Sequence, residues 1–319
     1  MISVLLPFRN AAATIEEATS SILADMSPTD ELIAIDDGST DASQSLLPKD
    51  DRITLVTTEG KGIASALTRG LEISRGDLIA RMDADDISLP GRLASSRALL
   101  ESDSSLGVVA TQIETMGAGE GLASYVAWQN GIIDQESHAN AIFVESPICH
   151  PSVTMRRSSL EACGAFEDPP WAEDWDLWQR MIERGFGIAK VPQVLFRWRR
   201  HESTLTVTDA RYSEERMREC RAHYLSKRLV DRRFAIWGAG QTGRRLARAL
   251  EAHAKRPLLF IDIDPKKQRA RDVDVVRPEA LPRDLFVVVA VGAPGARDIV
   301  RGRLLGMGRR EGAEFIAAA

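Results

Sequence analysis

The sequence predicts a two-domain α/β protein, a doubly wound sheet reaching to about residue 230 followed by a smaller sheet domain of the same class. Three observations carry this. Apolar stretches of strand length alternate with segments whose apolar residues recur at helical spacing. Acidic clusters fall at the carboxyl ends of those strands, where open α/β sheets place their ligands. At Phe234 the strand–turn–helix pattern starts afresh around a glycine-rich turn.

The elements follow in order. Ile2 to Leu6 is a strand, and Thr14 to Ala24 a helix with Ile15, Ala18 and Ile22 on one face. Glu31 to Ile35 is a second strand that runs into Asp36-Asp37-Gly38-Ser39, and Ile53 to Val56 a third. Ile63, Ala66, Leu67, Gly70 and Leu71 mark the next helix face. Asp77 to Met82 is a fourth strand, closing in Asp83-Ala84-Asp85-Asp86. After Gly91 the regularity weakens into helix, strand, the glycine-rich stretch Gly117 to Gly121, and a segment dense in tryptophan, His150 and carboxylates. Residues 107–201 read as the acceptor half of the same domain, and Asp209 to Val230 as a charged connecting helix. Phe234 to Trp237 then begins a separate domain over 231–319, with a helix to about His253 and further strands at Leu258 to Ile263 and Phe286 to Val291.

Composition narrows the class. With 319 residues, 44% hydrophobic and 27% charged, the chain is an ordinary globular protein of about two domains. Cys149, Cys163 and Cys220 form no CxxC pair, so a disulfide framework and zinc or thioredoxin-like chemistry lose their usual signature. The opening MISVLLPFRN lacks the basic start of a signal peptide, and the longest apolar run, Leu285 to Ala293, is far short of the ~20 residues of a spanning helix. The expectation is a cytoplasmic protein with reduced thiols and at most peripheral membrane contact. From Asp231 onward 18 Lys and Arg stand against 11 Asp and Glu, a surplus of +7 that leaves −12 on the first 230 residues. Such an acidic domain is a poor nucleic-acid binder. An anionic ligand is still compatible with it if a divalent cation lies between.

Asp83, Asp85 and Asp86 put three carboxylates into four residues at a strand end. They repel one another unless a cation or hydrogen-bond donors compensate, and hard divalent ions that share phosphate ligands favour such oxygens. A solvated turn capping the helix near Pro90 is the plain alternative; for Asp36-Asp37-Gly38-Ser39, ordinary turn and cap chemistry is the stronger one. Trp171-Ala172-Glu173-Asp174-Trp175-Asp176-Leu177-Trp178 sets an acidic pair among aromatics. Such surroundings raise a carboxylate towards the range of a general base, and the rings offer faces for sugar stacking. A helix N-terminus with acidic residues and a tryptophan core explains the same letters. Arg197-Trp198-Arg199-Arg200-His201 supplies cations for phosphate and an imidazole for a metal. In the second domain Gly238, Gly240 and Gly243, with Asp262 19 residues beyond, form a phosphate-binding turn of Rossmann type. Its 89 residues hold about one mononucleotide half, and glycines serving tight packing are the alternative.

Taken together, Leu5 to Asn10, Asp36 to Asp41, Gly62 to Gly70, Arg81 to Asp86, His150-Pro151-Ser152, Glu173-Asp174 and His201 resemble the family 2 glycosyltransferases of GT-A fold over about residues 1–205. The resemblance implies inverting transfer of a sugar from a nucleotide diphosphate sugar to a hydroxyl. By match to the family's motifs it implies that Asp37 pairs with the base and that Pro7 and Arg9 form the nucleotide-contacting loop. Asp83 and Asp85 would be the DxD motif, with Asp85 on Mg2+ or Mn2+ and Asp83 near ribose and metal. Asp174 would be the general base and His201 would complete the metal site. Lys61 and Arg81 join the donor side, and His150, Trp171 and Glu173 the acceptor side. Thr68 stands where asparagine is common in the family. The second domain resembles, more loosely, the small Rossmann-like domains attached to sugar-modifying enzymes. An NAD(P)-linked oxidoreductase and a silent nucleotide-sugar binding module remain the other readings. The acceptor, whether saccharide, lipid-linked or another hydroxyl, is left open.

Overall fold

A computed structural model describes every residue except 118, 119, 202, 203 and 294, so part of the Gly117 to Gly121 stretch lies outside the described residues. The chain forms two compact units. One comprises Met1–His138, Pro147–Pro169 and Glu173–Thr208; the other comprises Ala139–Ser146, Pro170–Ala172 and Asp209–Ala319.

The first unit is built on β1 (Ile2–Phe8), α1 (Ile15–Asp25), β2 (Glu31–Asp36), β3 (Ile53–Thr57), α2 (Ile63–Ile73), β4 (Leu78–Arg81), β5 (Ile87–Ser88) and α3 (Arg92–Ser102). It continues through β6 (Leu106–Met116), α4 (Glu120–Asn130), α5 (Gln135–Ala141, shared at its end with the second unit), β7 (Thr154–Arg156), α6 (Arg157–Ala162), α7 (Glu173–Glu183), β8 (Gly187–Arg199) and the short α8 (Leu205–Thr208). Its eight strands lie in the order β3-β2-β1-β4-β7-β6-β8-β5. The β3-β2-β1-β4 half is parallel. Strands covered on both faces read as continuous apolar runs, and β1 and β2 are buried at every position. Ile15, Ala18 and Ile22 of α1 and Leu93 and Leu100 of α3 join Val4, Leu32 and Ala80 in one core. Gly70 shows why a poor helix former sits inside α2: a Cβ there would lie 2.6 Å from Ile35 Cδ1. Its propensity cost of about 1 kcal/mol is offset by letting the helix lie against the sheet.

Beyond β4 the sheet is mixed. β7 runs antiparallel to both β4 and β6, and the long β6 and β8 pair in parallel. In β8 the register moves from Thr111↔Val191 to Gln112↔Val194, which bulges out Pro192 and Gln193. Proline has no N–H for the ladder, so it breaks the pattern without ending the strand.

The second unit contains α9 (Glu214–Arg228), β9 (Phe234–Trp237), α10 (Gln241–Glu251), β10 (Leu259–Ile261), β11 (Arg269–Ala270), β12 (Val273–Val276), β13 (Phe286–Val289), α11 (Ala296–Gly306) and β14 (Phe315–Ala317). Ser213 caps α9 by accepting the Arg216 N–H. By its contacts this charged helix belongs with the second unit, so the division falls after Thr208 and not after Val230. The sheet order is β11-β12-β10-β9-β13-β14, parallel except at β11/β12. Its core gathers Ala235, Trp237, Ile261, Val287, Leu304 and Phe315.

Candidate active site

β4 ends in Arg81 at the carboxyl end of the central strands, and the chain then turns through Asp83 to Asp86 into β5. Carboxylate oxygens of Asp83, Asp85 and Asp86 lie within 4.8 Å of one another. At an effective dielectric of ~20, two charges about 5 Å apart repel by roughly 3 kcal/mol, so the turn must be compensated. Each carboxylate has its own compensation. Arg81, 1% exposed, places Nη2 2.7 Å from Asp83 Oδ1. His201 Nε2 lies 2.8 Å from Asp85 Oδ2. The Arg199 backbone N–H donates to Asp86 at 2.7 Å. Burial, then the charge of Asp83, raises the Asp85 pKa against the opposing pull of His201. Asp86 is driven well above the usual carboxylate range, first by burial and then by Asp83 and Asp85.

α7 carries the second acidic group. Glu173, Asp174 and Asp176 occupy its first turn, where the helix dipole favours them, and Trp175 and Trp178 are fully buried. Burial, then the charge of Glu173, pushes half-buried Asp174 up to about 7, although the Trp175 N–H donates to its Oδ1 at 2.7 Å. The buried Cys149 thiol is raised by burial and then by Asp86, Asp83 and Asp174, so the acidic turn and Asp174 bear on one point. Next to it, buried His150 stands edge-on to Trp178 with ring centroids 5.5 Å apart, and its Nε2 has no hydrogen-bond partner. Burial and then the Arg81 charge push it well below its ordinary pKa, which keeps the ring neutral.

Beside α2 lies a cleft of about 450 Å³ whose lining includes Thr58, Lys61, Thr68, Phe166 and Asp168. Lys61 is exposed and paired with Glu59 at 2.8 Å. The Arg9 guanidinium lies against Gly60. Asp37 is 6% exposed, and both its oxygens are engaged, by Thr58 Oγ1 at 2.6 Å and the Gly62 N–H at 2.9 Å. It thereby braces the loop that forms the cleft's rim. Pro7 is buried in β1 opposite Ile35. Thr68 Oγ1 donates to the Phe166 carbonyl at 3.2 Å, closing one wall.

Other candidates are not in this unit. Trp171 belongs to the second unit, its ring 5.4 Å from that of His223. There too lie Gly238, Gly240, Gly243 and Asp262. A Cβ at Gly238, where φ is +124°, would fall 2.2 Å from the Ala290 carbonyl, and one at Gly243 would fall 1.9 Å from the Gly238 carbonyl. Both glycines therefore serve close packing. The Asp262 carboxylate accepts from the N–H groups of Ala239 and Asp264 and from Lys267 Nζ, each at 2.9 Å. Two residues of the first unit escaped the sequence reading as site groups: Thr58 and Phe166. Arg199 lay inside the noted Arg197 to His201 cluster, whereas nothing local marks Thr58 or Phe166.

The sequence model of glycosyl transferase family 2 matches residues 3–164. EpsE of Bacillus subtilis (strain 168), assigned as a glycosyltransferase, is 30% identical over 207 residues, 62% of this chain and 72% of that protein. The amylovoran biosynthesis glycosyltransferase AmsE of Erwinia amylovora is 28% identical over 211 residues, 62% of this chain and 76% of its own. Among solved structures, TarS of S. aureus in complex with UDP-GlcNAc covers 72% of each chain at 16% identity, with a TM-score of 0.54. The mannosyltransferase PcManGT of Pyrobaculum calidifontis, in complex with GDP-Man and Mn2+, covers 96% of this chain and 80% of its own at 19% identity, with a TM-score of 0.52. At these identities the two structures share the GT-A fold with this chain. Among the described residues no helix is long and apolar enough to cross a membrane.

Proposed function

The chain belongs to glycosyl transferase family 2, and we propose that it transfers a sugar, with inversion, from a nucleotide diphosphate sugar to a hydroxyl acceptor. The observation that carries this reading is the convergence of Asp83, Asp85 and His201 at the carboxyl end of the central strands while Asp174 is raised to about 7. Carboxylate oxygens and an imidazole are the donor set of a hard divalent ion, so Asp83, Asp85 and His201 would hold Mg2+ or Mn2+. When bound there, such an ion would supply the positive charge that a departing nucleoside diphosphate requires.

The chain's own residues do the rest. Arg81, nearly sealed from solvent, fixes Asp83 through its 2.7 Å pair. Lys61 at the cleft and Arg9 beside Gly60 supply positive charge towards the diphosphate, and Asp37 sets the loop against which the base lies. Asp174 uses Oδ1 to accept the Trp175 N–H, which leaves Oδ2 to take the acceptor's proton. In a single displacement the bond from the anomeric carbon to the acceptor oxygen forms as the bond to the diphosphate breaks. The acceptor's proton goes to Asp174. One carboxylate suffices for this, unlike the pair a glycoside hydrolase requires. Neutral His150 and buried Glu173 belong to the acceptor side of this scheme.

Residues 231–319 are read as a Rossmann-like domain without hydride chemistry. Asp262, the carboxylate such chemistry needs for a ribose, is engaged by Ala239, Asp264 and Lys267 instead. The test is thermal melting with a panel of UDP- and GDP-sugars, with and without Mn2+, followed by NMR of the product's anomeric configuration. A rise that needs both sugar nucleotide and Mn2+, with an inverted product, is expected, because ligands of the native state alone stabilise by mass action. No response to any sugar nucleotide, or retained configuration, overturns the reading.

A further inference from the structure

Three carboxylates share the acidic turn, yet they are not equally open to a cation. The side chains of Asp83 and Asp85 are 30% and 27% exposed, whereas Asp86 is 1% exposed. One Asp86 oxygen accepts the Arg199 backbone N–H at 2.7 Å, and Oδ2 is buried without a partner. Arg199 returns the contact: its Nε donates to the Asp85 carbonyl at 2.7 Å, and its Nη2 reaches Glu17 Oε2 at 2.7 Å. Two residues further on, His201 meets Asp85. On one side β6 ladders with β8 as far as Met116↔Arg199; on the other, β5 pairs with it through only Ile87↔Arg197 and Ser88↔Phe196, so on that side the Arg199 N–H meets Asp86 in place of a strand.

We propose that Asp86 is a positioning residue: by accepting the Arg199 N–H it fastens the acidic turn to the end of β8 and so brings Asp85 and His201 together. It is not a third metal ligand. The inference rests on the reading of Asp83, Asp85 and His201 as the metal site, and adds to it the device that holds His201 in place. A carboxylate sealed behind two exposed ones, with one oxygen committed to a backbone amide, has the geometry of an anchor.

The experiment combines amide hydrogen exchange at Arg199 in the metal-free full-length protein with Mn2+ affinity measured by EPR of the free ion. Asp86→Asn keeps a carbonyl oxygen for the N–H, so Arg199 protection and Mn2+ affinity stay near wild type. Asp86→Ala removes the acceptor; Arg199 then exchanges faster, and Mn2+ affinity falls by about 10- to 100-fold, the range for outer-shell partners of metal ligands. The loss matches that of His201→Ala, and the double variant binds no worse than either single one, because both act through one contact. Additive losses would make Asp86 a ligand in its own right, and unchanged Arg199 exchange in Asp86→Ala would remove the anchor; either overturns the proposal. If Asp86→Ala does not fold, Asp86→Asn in the His201→Ala background decides: a further loss of Mn2+ affinity there marks Asp86 as a ligand. A wild-type protein without Mn2+ affinity refutes the metal reading itself, and the exchange measurement still decides whether Asp86 holds Arg199.

Discussion

Replacing Asp174 with asparagine separates what this carboxylate does for the fold from what it does for the reaction. Burial and Glu173 raise it from 3.8 to about 7, so the folded chain keeps a proton over a range in which the unfolded chain has released it. The group costs no stability below about pH 4, an increasing amount as pH rises through that interval, and a constant amount above pH 7. About three pH units at 1.36 kcal/mol each set a ceiling of about 4 kcal/mol. Glu173 shares the perturbation and Asp174 is only half-buried, so solvent screening brings the realised figure to roughly 1 to 3 kcal/mol. Asparagine carries no charge and escapes that cost. Asp174→Asn should therefore melt higher than wild type at pH 8, by roughly 2 to 4 °C per kcal/mol, and no higher at pH 4. Its transfer rate should fall by about 10² to 10⁴, and the wild-type rate should itself decline as pH drops below 7. Melting curves at both pH values, with turnover by coupled detection of the released nucleotide, measure this. A melting shift equal at pH 4 and pH 8, or a variant that transfers at the wild-type rate, would refute the reasoning.

His201→Ala should lower Mn2+-dependent nucleotide affinity by at least about tenfold in calorimetry. Its melting temperature should barely move, because a pair as exposed as His201 with Asp85 contributes little to stability. A fragment ending at Thr208, where the first unit ends, should bind nucleotide sugar when soluble, since the proposed donor, metal and base residues precede it; a folded fragment that binds nothing would move the nucleotide site to the Gly238 to Gly243 turn. Gly243→Ala forces a Cβ to 1.9 Å from a backbone carbonyl and should cost at least about 1 to 3 kcal/mol. The loss should be visible as earlier melting with nucleotide-sugar affinity unchanged.

The parallel half of the first sheet was legible because strands such as β1, buried at every position, show as unbroken apolar runs. β8 was not. Lys190 and Pro192 give it the look of a surface segment, yet Lys190 is 2% exposed, donates from Nζ to the carbonyls of Gln129 and Pro147, and is lowered to about 7 by burial. The acidic turn announced itself through three carboxylates in four residues. Its partner Arg199 could not, since the bond to Asp86 spans 113 residues and leaves no periodic trace. Asp37 is similar: its residue type was conspicuous, whereas its engagement with Thr58 and Gly62 depends on how β3 hands the chain to α2.

The distance along the chain between Asp86 and Arg199 also has a meaning in time. A ribosome adds roughly 5 to 20 residues per second, so the 113 residues that follow Asp86 up to and including Arg199 take about 6 to 23 seconds to make. Throughout that interval β1 to β4 are already available to pair, but the amide that receives Asp86 does not yet exist. A carboxylate is expensive to seal away without its donor, so during synthesis the nascent turn is held open to water by its own charge. Closure of this corner therefore waits for β8.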